Sequence, residues 1–207
     1  MKTLWTMTAL ALAGCATQPE PAWRPDAQSA LAGFTEAYLA GDSAAARTEF
    51  ARARAAGAGT GDPVAVAQIE LVRCAAQAAS LDDPGCAGFT ALAPDASPAQ
   101  RAYADYLAGR WTGLDATLLP AQHRQLVGGA ALAGMADPLA RLVGAGAALR
   151  AGKLTPDGIA TATATASTQG WRRPLLAWLG VSIQRAEALG DAQQVARLRR
   201  RVALAQP

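Results

Sequence analysis

Histidine is nearly absent from this chain. His123 is the only one among 207 residues, and there are just three cysteines, so no zinc site of ordinary composition can be assembled. A serine–histidine–aspartate system would have to recruit His123, and no G-x-S-x-G elbow exists to present the serine. On the polar segment Pro120 to Val127, His123 reads as a surface or boundary residue rather than a general base. Glutamates are also scarce: after the first fourteen residues there are only Glu20, Glu36, Glu49, Glu70 and Glu187. Of these, Glu70 alone lies in an apolar helical stretch, beside Ile69, Leu71 and Val72, where it is expected to point outward or pair with Arg73. That is a poor start for the paired carboxylates a glycan-cutting enzyme needs. Gly146 to Lys153 has the wrong glycine spacing for a phosphate loop and Leu154 where a hydroxyl should be, and Gly57-Ala58-Gly59-Thr60-Gly61 follows no strand. Both clusters read as helix ends and close helix contacts. No catalytic, metal or cofactor residue is assigned, nothing points to nucleic acid, and the chain reads as non-enzymatic. Aromatic residues make up only 5%, and beyond the first fourteen residues no apolar run approaches the roughly 20 needed to cross a bilayer.

What the chain does have begins at its N-terminus. Lys2 precedes a short apolar run, Thr3 to Ala13, which closes in Leu12-Ala13-Gly14-Cys15. This pattern resembles the processing box of bacterial lipoproteins, and the run is too short for a membrane helix but long enough for a signal h-region. The resemblance implies that residues 1–14 are removed, that Cys15 carries palmitate-type acyl chains, and that the protein is held at the membrane through them. Ala16 is not the aspartate that usually retains such proteins in the inner membrane, so the expected location is the outer membrane, facing the periplasm. Residues 15–26 contain three prolines and read as lipidated N-terminus and tether, and residues 27–207 as one helical domain. With Cys15 lipidated, Cys74 and Cys86 remain as an even pair in an exported chain, and a disulfide between them is expected.

Helix punctuation is regular. Asp62-Pro63, Asp83-Pro84, Ser97-Pro98, Asp137-Pro138 and Thr155-Pro156 each place a capping residue before a proline at the first helical position, predicting five helix starts. Gly41, Gly57, Gly109, Gly152 and Gly190 supply stops. Leu175, Trp178, Leu179, Ala186 and Leu189 share one helical face, as do Val195, Leu198 and Val202, predicting an antiparallel pair joined at Gly190-Asp191. Ile159 to Ser167 alternates with period two, but a lone strand has no partner for its backbone, so it is expected to be helical.

The glycines also recur in similar company, as Tyr38-Leu39-Ala40-Gly41-Asp42, Tyr106-Leu107-Ala108-Gly109-Arg110, Leu149-Arg150-Ala151-Gly152-Lys153 and Ala188-Leu189-Gly190-Asp191. The first unit, followed by Ala46, Phe50 and Ala53, resembles the turn of a tetratricopeptide hairpin. The second keeps Leu114, Leu118 and Ala121, the fourth keeps Val195 and Val202, and the third fits poorly because Pro156 and Asp157 fall inside the expected helix. Spacings of 68, 43 and 38 residues are irregular, and a divergent hairpin near Ser80 would divide the first. The expected fold is all-α: a degenerate, tetratricopeptide-like helical-hairpin array, or an alanine-rich helical bundle.

Charge is uneven along the chain. From Arg172 to Arg201 there are seven arginines against Glu187 and Asp191, whereas Ala16 to Trp171 carries 11 basic and 14 acidic residues. The basic end, with Arg197, Arg199, Arg200 and Arg201, suits an anionic headgroup, the cell wall or an acidic protein face, and equally the solvated side of a last helix. Trp171-Arg172-Arg173 at a helix start and Trp111 beside Arg110 have the composition of interface anchors, or of plugs between hairpins. Together Trp111, Trp171, Arg172, Arg173, Arg197, Arg200 and Arg201 form the candidate interaction surface. Finally, Lys153-Leu154-Thr155-Pro156, then a helix and Arg173-Pro174-Leu175, with Cys74 upstream, resemble the QseG-type outer-membrane lipoproteins. That resemblance implies a lipid-anchored adaptor whose protein partner is the sensor domain of an inner-membrane histidine kinase. An envelope scaffold whose basic end meets peptidoglycan or anionic lipid is the alternative.

Overall fold

A computed structural model describes residues 21–82 and 85–206. Cys15, the signal segment and the Asp83-Pro84 helix start lie outside the described residues. Among those described, the chain forms α-helices, two 3-10 turns (Ala116–Leu118 and Leu132–Gly134) and no strand. The order is α1 (Trp23–Ala40), α2 (Ser43–Ala58), α3 (Pro63–Ala79), the single turn α4 (Ala87–Thr90), α5 (Pro98–Leu107), α6 (Ala121–Val127), α7 (Pro138–Arg150), α8 (Pro156–Gln169), α9 (Arg172–Ala188) and α10 (Ala192–Ala205). It is an all-α bundle of helical hairpins.

Local chemistry sets most of the helix starts. Asp62, Asp137 and Thr155 accept backbone N–H bonds from Val64, Ala140 and Gly158, and Ser97 forms a reciprocal capping box with Gln100. Each cap satisfies donors that a helix start leaves orphaned, at about 1 kcal/mol apiece. Asp42 and Asp191 cap α2 and α10 in the same way without a following proline. In the threonine-rich α8, Thr163 and Thr165 return their hydroxyls to the carbonyls of Ile159 and Thr161, so these buried side chains stay satisfied within the helix.

Two boundaries differ from expectation. The first helix begins at Trp23, inside the segment read as tether, because Pro25 falls in the first turn, where its missing N–H costs nothing. Gly57 does not stop α2; it lies in the last turn, where a Cβ would come within 2.4 Å of Ile69 Cδ1.

The core runs through α3 and α7. A Cβ on Gly146 would lie 2.1 Å from the carbonyl oxygen of Ala78, so these two helices meet backbone to backbone. Around them pack α5, α8 and the fully buried Trp178, whose indole N–H donates to Ala79 O at 3.0 Å. On one side, α1 and α2 form a hairpin about Phe34 and Phe50, with ring centroids 5.3 Å apart, and Ala46 and Ala53 are buried where the tetratricopeptide-like spacing puts them. On the other side, α9 and α10 close over Leu179, Ala186, Val195 and Leu198. Leu189 does not join them: it sits at the turn, past the reach of α10, and is 67% exposed.

The second glycine unit forms no hairpin. After Gly109 the chain passes through the 3-10 turn and the short α6, leaving Leu118 and Ala121 exposed. Its place is taken by direct packing of α3 on α7, so the hairpins are not stacked in single file. Near Ser80 the partner helix is only the single turn α4, stapled to α3 by the Cys74–Cys86 disulfide, with Cα atoms 5.5 Å apart.

Two stability outcomes follow from these contacts. Gly146→Ala must push backbone apart and is expected to destabilise by at least 1–3 kcal/mol. Gly180→Ala, which meets nothing within 4 Å in the middle of α9, is expected to stabilise by about 0.5–1 kcal/mol. Urea unfolding of both variants checks the pair. Replacing Cys74 and Cys86 together by alanine is expected to cost about 3 kcal/mol in the same assay.

Candidate binding site

The sequence-predicted surface divides in two. Trp111 is half-buried, stacks at 5.4 Å on Tyr106 and donates its indole N–H to Tyr106 O. Trp171 is the N-cap residue of α9 and packs between the two larger core clusters. Arg173 bridges elements far apart in sequence: it donates to Tyr38 O and Ser43 Oγ, both at 2.7 Å, and lies 4.3 Å over the Tyr38 ring. Arg172 rests against Gly41. These four residues therefore join α9 and the Tyr106 region to the rest of the molecule rather than standing free. Arg197 and Arg200, by contrast, are exposed on α10, with Arg201 half-exposed beside them. Among the described residues none of these three has an ion-pair partner, whereas Arg199 pairs with Glu187 at 2.7 Å.

Glu70 is buried and paired. Its carboxylate lies 3.0 Å from Arg54 and 2.5 Å from Arg73, and the Arg73 guanidinium also covers the Phe50 ring at 4.4 Å. Gly88 of α4 sits directly on this pair; a Cβ there would be 2.2 Å from Glu70 Oε2. The disulfide thus holds a lid of one helical turn over a buried charge.

His123 is the residue whose placement departs furthest from its sequence reading. It is 3% exposed, because α6 folds back on α5 and drives the imidazole against Tyr103 and Tyr106. Its Nδ1 lies 3.0 Å from the hydroxyl of Tyr106, itself fully buried. Burial pushes the imidazole down to about 4, against a smaller opposing pull from the Asp137 carboxylate, and raises both tyrosines. One signal was available in the sequence: Tyr103 and Tyr106 are three apart on α5 and so share a face that needs a polar partner.

Beside this cluster is an open cavity of about 570 Å³. Leu71 and Val72 of α3 and Val143 of α7 give it an aliphatic floor, and Tyr103, His123, Asp137 and the amides of Gln68, Gln100 and Gln122 also line it. A second groove, of about 800 Å³, runs from Trp111 past Leu126 and Leu132 to Lys153 in the loop before α8. Thr155 and Pro156 begin that helix, and Pro174 is buried in the first turn of α9 while Leu175 packs on the core. Among the described residues no three histidine, cysteine or carboxylate groups are placed to hold a metal ion, and no helix is long and apolar enough to cross a membrane.

Comparison with protein-family models, with curated proteins and with solved structures gives no match for this chain.

The buried imidazole makes stability depend on acid. Between pH about 6.5 and about 4 the unfolded chain binds a proton at His123 that the folded chain does not, so stability falls as pH falls through that window. The loss at this one residue is of order 3 kcal/mol. Urea unfolding from pH 7 down to pH 4 should show this slope in the wild type and a shallower one in His123→Gln; parallel profiles would contradict it.

Proposed function

We propose that this chain is a non-enzymatic adaptor of the bacterial envelope, lipid-anchored through Cys15 at the outer membrane, whose helical body offers a protein-interaction surface in the periplasm. The observation that carries the reading is the outer face of α10. Arg197, Arg200 and Leu204 recur there at helical spacing, Leu204 is 87% exposed, and the arginines are left without an intramolecular counter-charge among the described residues. Elsewhere the buried polar groups are largely taken up by one another, Glu70 by two guanidiniums and His123 Nδ1 by Tyr106. Cationic side chains flanking an exposed leucine suit an acidic protein face with an apolar centre. The QseG-type resemblance of Lys153 to Pro156 and Arg173 to Leu175 directs the choice of partner to the sensor domain of an inner-membrane histidine kinase.

The same unpaired arginines favour a second reading, an envelope scaffold whose basic end meets peptidoglycan or anionic lipid. Salt separates the two. Exposed charges bound to a polyanion are screened beyond about 8 Å at physiological ionic strength, whereas a packed interface is much less sensitive. A photo-crosslinking side chain introduced at position 204 of the full chain, in the cells that make it, is expected to capture a sensor histidine kinase, and to do so still at raised salt. Labelling of peptidoglycan or lipid alone would contradict the adaptor and favour the scaffold.

A further inference from the structure

We infer that the cavity beside His123 is a binding site for the N-terminus of a peptide whose first residue is aliphatic: an ammonium and a neutral carbonyl on a leucine-like side chain. The site goes beyond the adaptor reading and is independent of both the lipid anchor and α10.

The donor is fixed by its neighbours. The Tyr106 hydroxyl is buried, and its one hydrogen bond among the described residues is to His123 Nδ1, at 3.0 Å. An unsatisfied buried O–H costs about 1–3 kcal/mol, so the network assigns Tyr106 as donor and Nδ1 as acceptor. In a neutral ring the proton then sits on Nε2. His123 Nε2 has no partner among the described residues and is not among the side-chain atoms sealed from solvent, so it borders open space, and the cavity is the open space that His123 lines. This donor belongs to a side chain that is 3% exposed, and among the described residues it has no hydrogen-bond partner. It suits a ligand carbonyl.

Charge and shape supply the rest. Among the described residues, Asp137 is the only charged one lining the cavity. One of its oxygens caps α7 by accepting from Ala140 N–H at 2.6 Å, and the other has no partner among the described residues and can accept from a ligand. A lone carboxylate selects an ammonium and disfavours an anion. Leu71, Val72 and Val143 provide an aliphatic floor for a branched side chain, and about 570 Å³ lies within the usual range for small-ligand sites. Cation, carbonyl and branched side chain occur together on the first residue of a peptide. A free amino acid would bring a second carboxylate close to Asp137.

Because His123 is the only histidine, its ring nitrogens can be followed by ¹⁵N NMR without ambiguity in the full-length chain purified without a histidine tag. Leucinamide is the probe and N-acetyl-leucinamide its uncharged control. Leucinamide is expected to shift the Nε2 resonance saturably in the millimolar range, as suits so small a ligand. The acetylated control should bind about fivefold more weakly. Asp137→Asn, which keeps a good helix cap, should bring leucinamide down to the level of the control. Val72→Met, which narrows the floor without touching the cap, should also weaken leucinamide at least fivefold, and it serves as the second arm if the first variant loosens α7. Absence of a saturable shift with leucinamide, or equal shifts with both probes, would overturn the inference. Neither result bears on crosslinking at position 204, so this site and the adaptor reading fail separately.

Discussion

The bundle depends on one close approach, between the Cα of Gly146 in α7 and the carbonyl of Ala78 in α3. A chain with so few aromatics cannot fill a wide gap between helices with large side chains; it brings the helices together instead. Ala67, Ala78, Ala79, Ala145 and Ala147 are buried along the same seam. Many short-range contacts, each worth about 0.1–0.2 kcal/mol, then do the work of a few bulky ones. The neighbouring elements are aligned to this seam by backbone acceptors. Trp178 reaches Ala79 O, and Arg150 at the end of α7 donates to Leu107 O and Asp82 O. At the same end, Gly109 comes so close to Arg150 and Ala151 that a Cβ would meet backbone at 2.6 Å.

Outside the seam, large side chains return and polar groups act as ties. Phe34, Phe50 and Tyr38 hold the α1–α2 hairpin, Arg73 covers Phe50, and Arg173 fastens the start of α9 to Tyr38 and Ser43. The Glu70 pair is roofed by a helix of one turn that cannot hold itself, and the disulfide keeps it there. Two features are left facing outward with unused chemistry: the arginines of α10, and the cavity where α3, α5, α6 and α7 meet at His123. The first lies on the peripheral α9–α10 pair and the second against the α3–α7 seam.

What was legible in the sequence was local. A capping side chain followed by proline states its own structure, so the starts at Pro63, Pro98, Pro138 and Pro156 stand as read. The α9–α10 pair was readable from one period of apolar residues and one glycine, and the disulfide from the two cysteines left once Cys15 is set aside. What escaped was set by distant partners. Gly57 looks like a stop and is a point of contact with Ile69; Arg173 looks like a surface anchor and is a clamp across 135 residues. His123 lies in a polar stretch and yet is buried, because α6 is laid over Tyr103 and Tyr106 by a turn that no periodicity announces. The second repeat-like unit failed for a related reason: its small residues match a hairpin, but α3 and α7 already occupy each other.

If α3 against α7 is the seam on which the other helices are assembled, its amides must be the last to open. Native-state hydrogen exchange measures this directly, since core elements exchange only through global unfolding while peripheral ones open locally. The account predicts the highest protection in α3 and α7 around Ala78 and Gly146, with α1–α2 and α10 exchanging sooner. Protection that peaks in the α1–α2 hairpin, with α3 and α7 opening first, would contradict it.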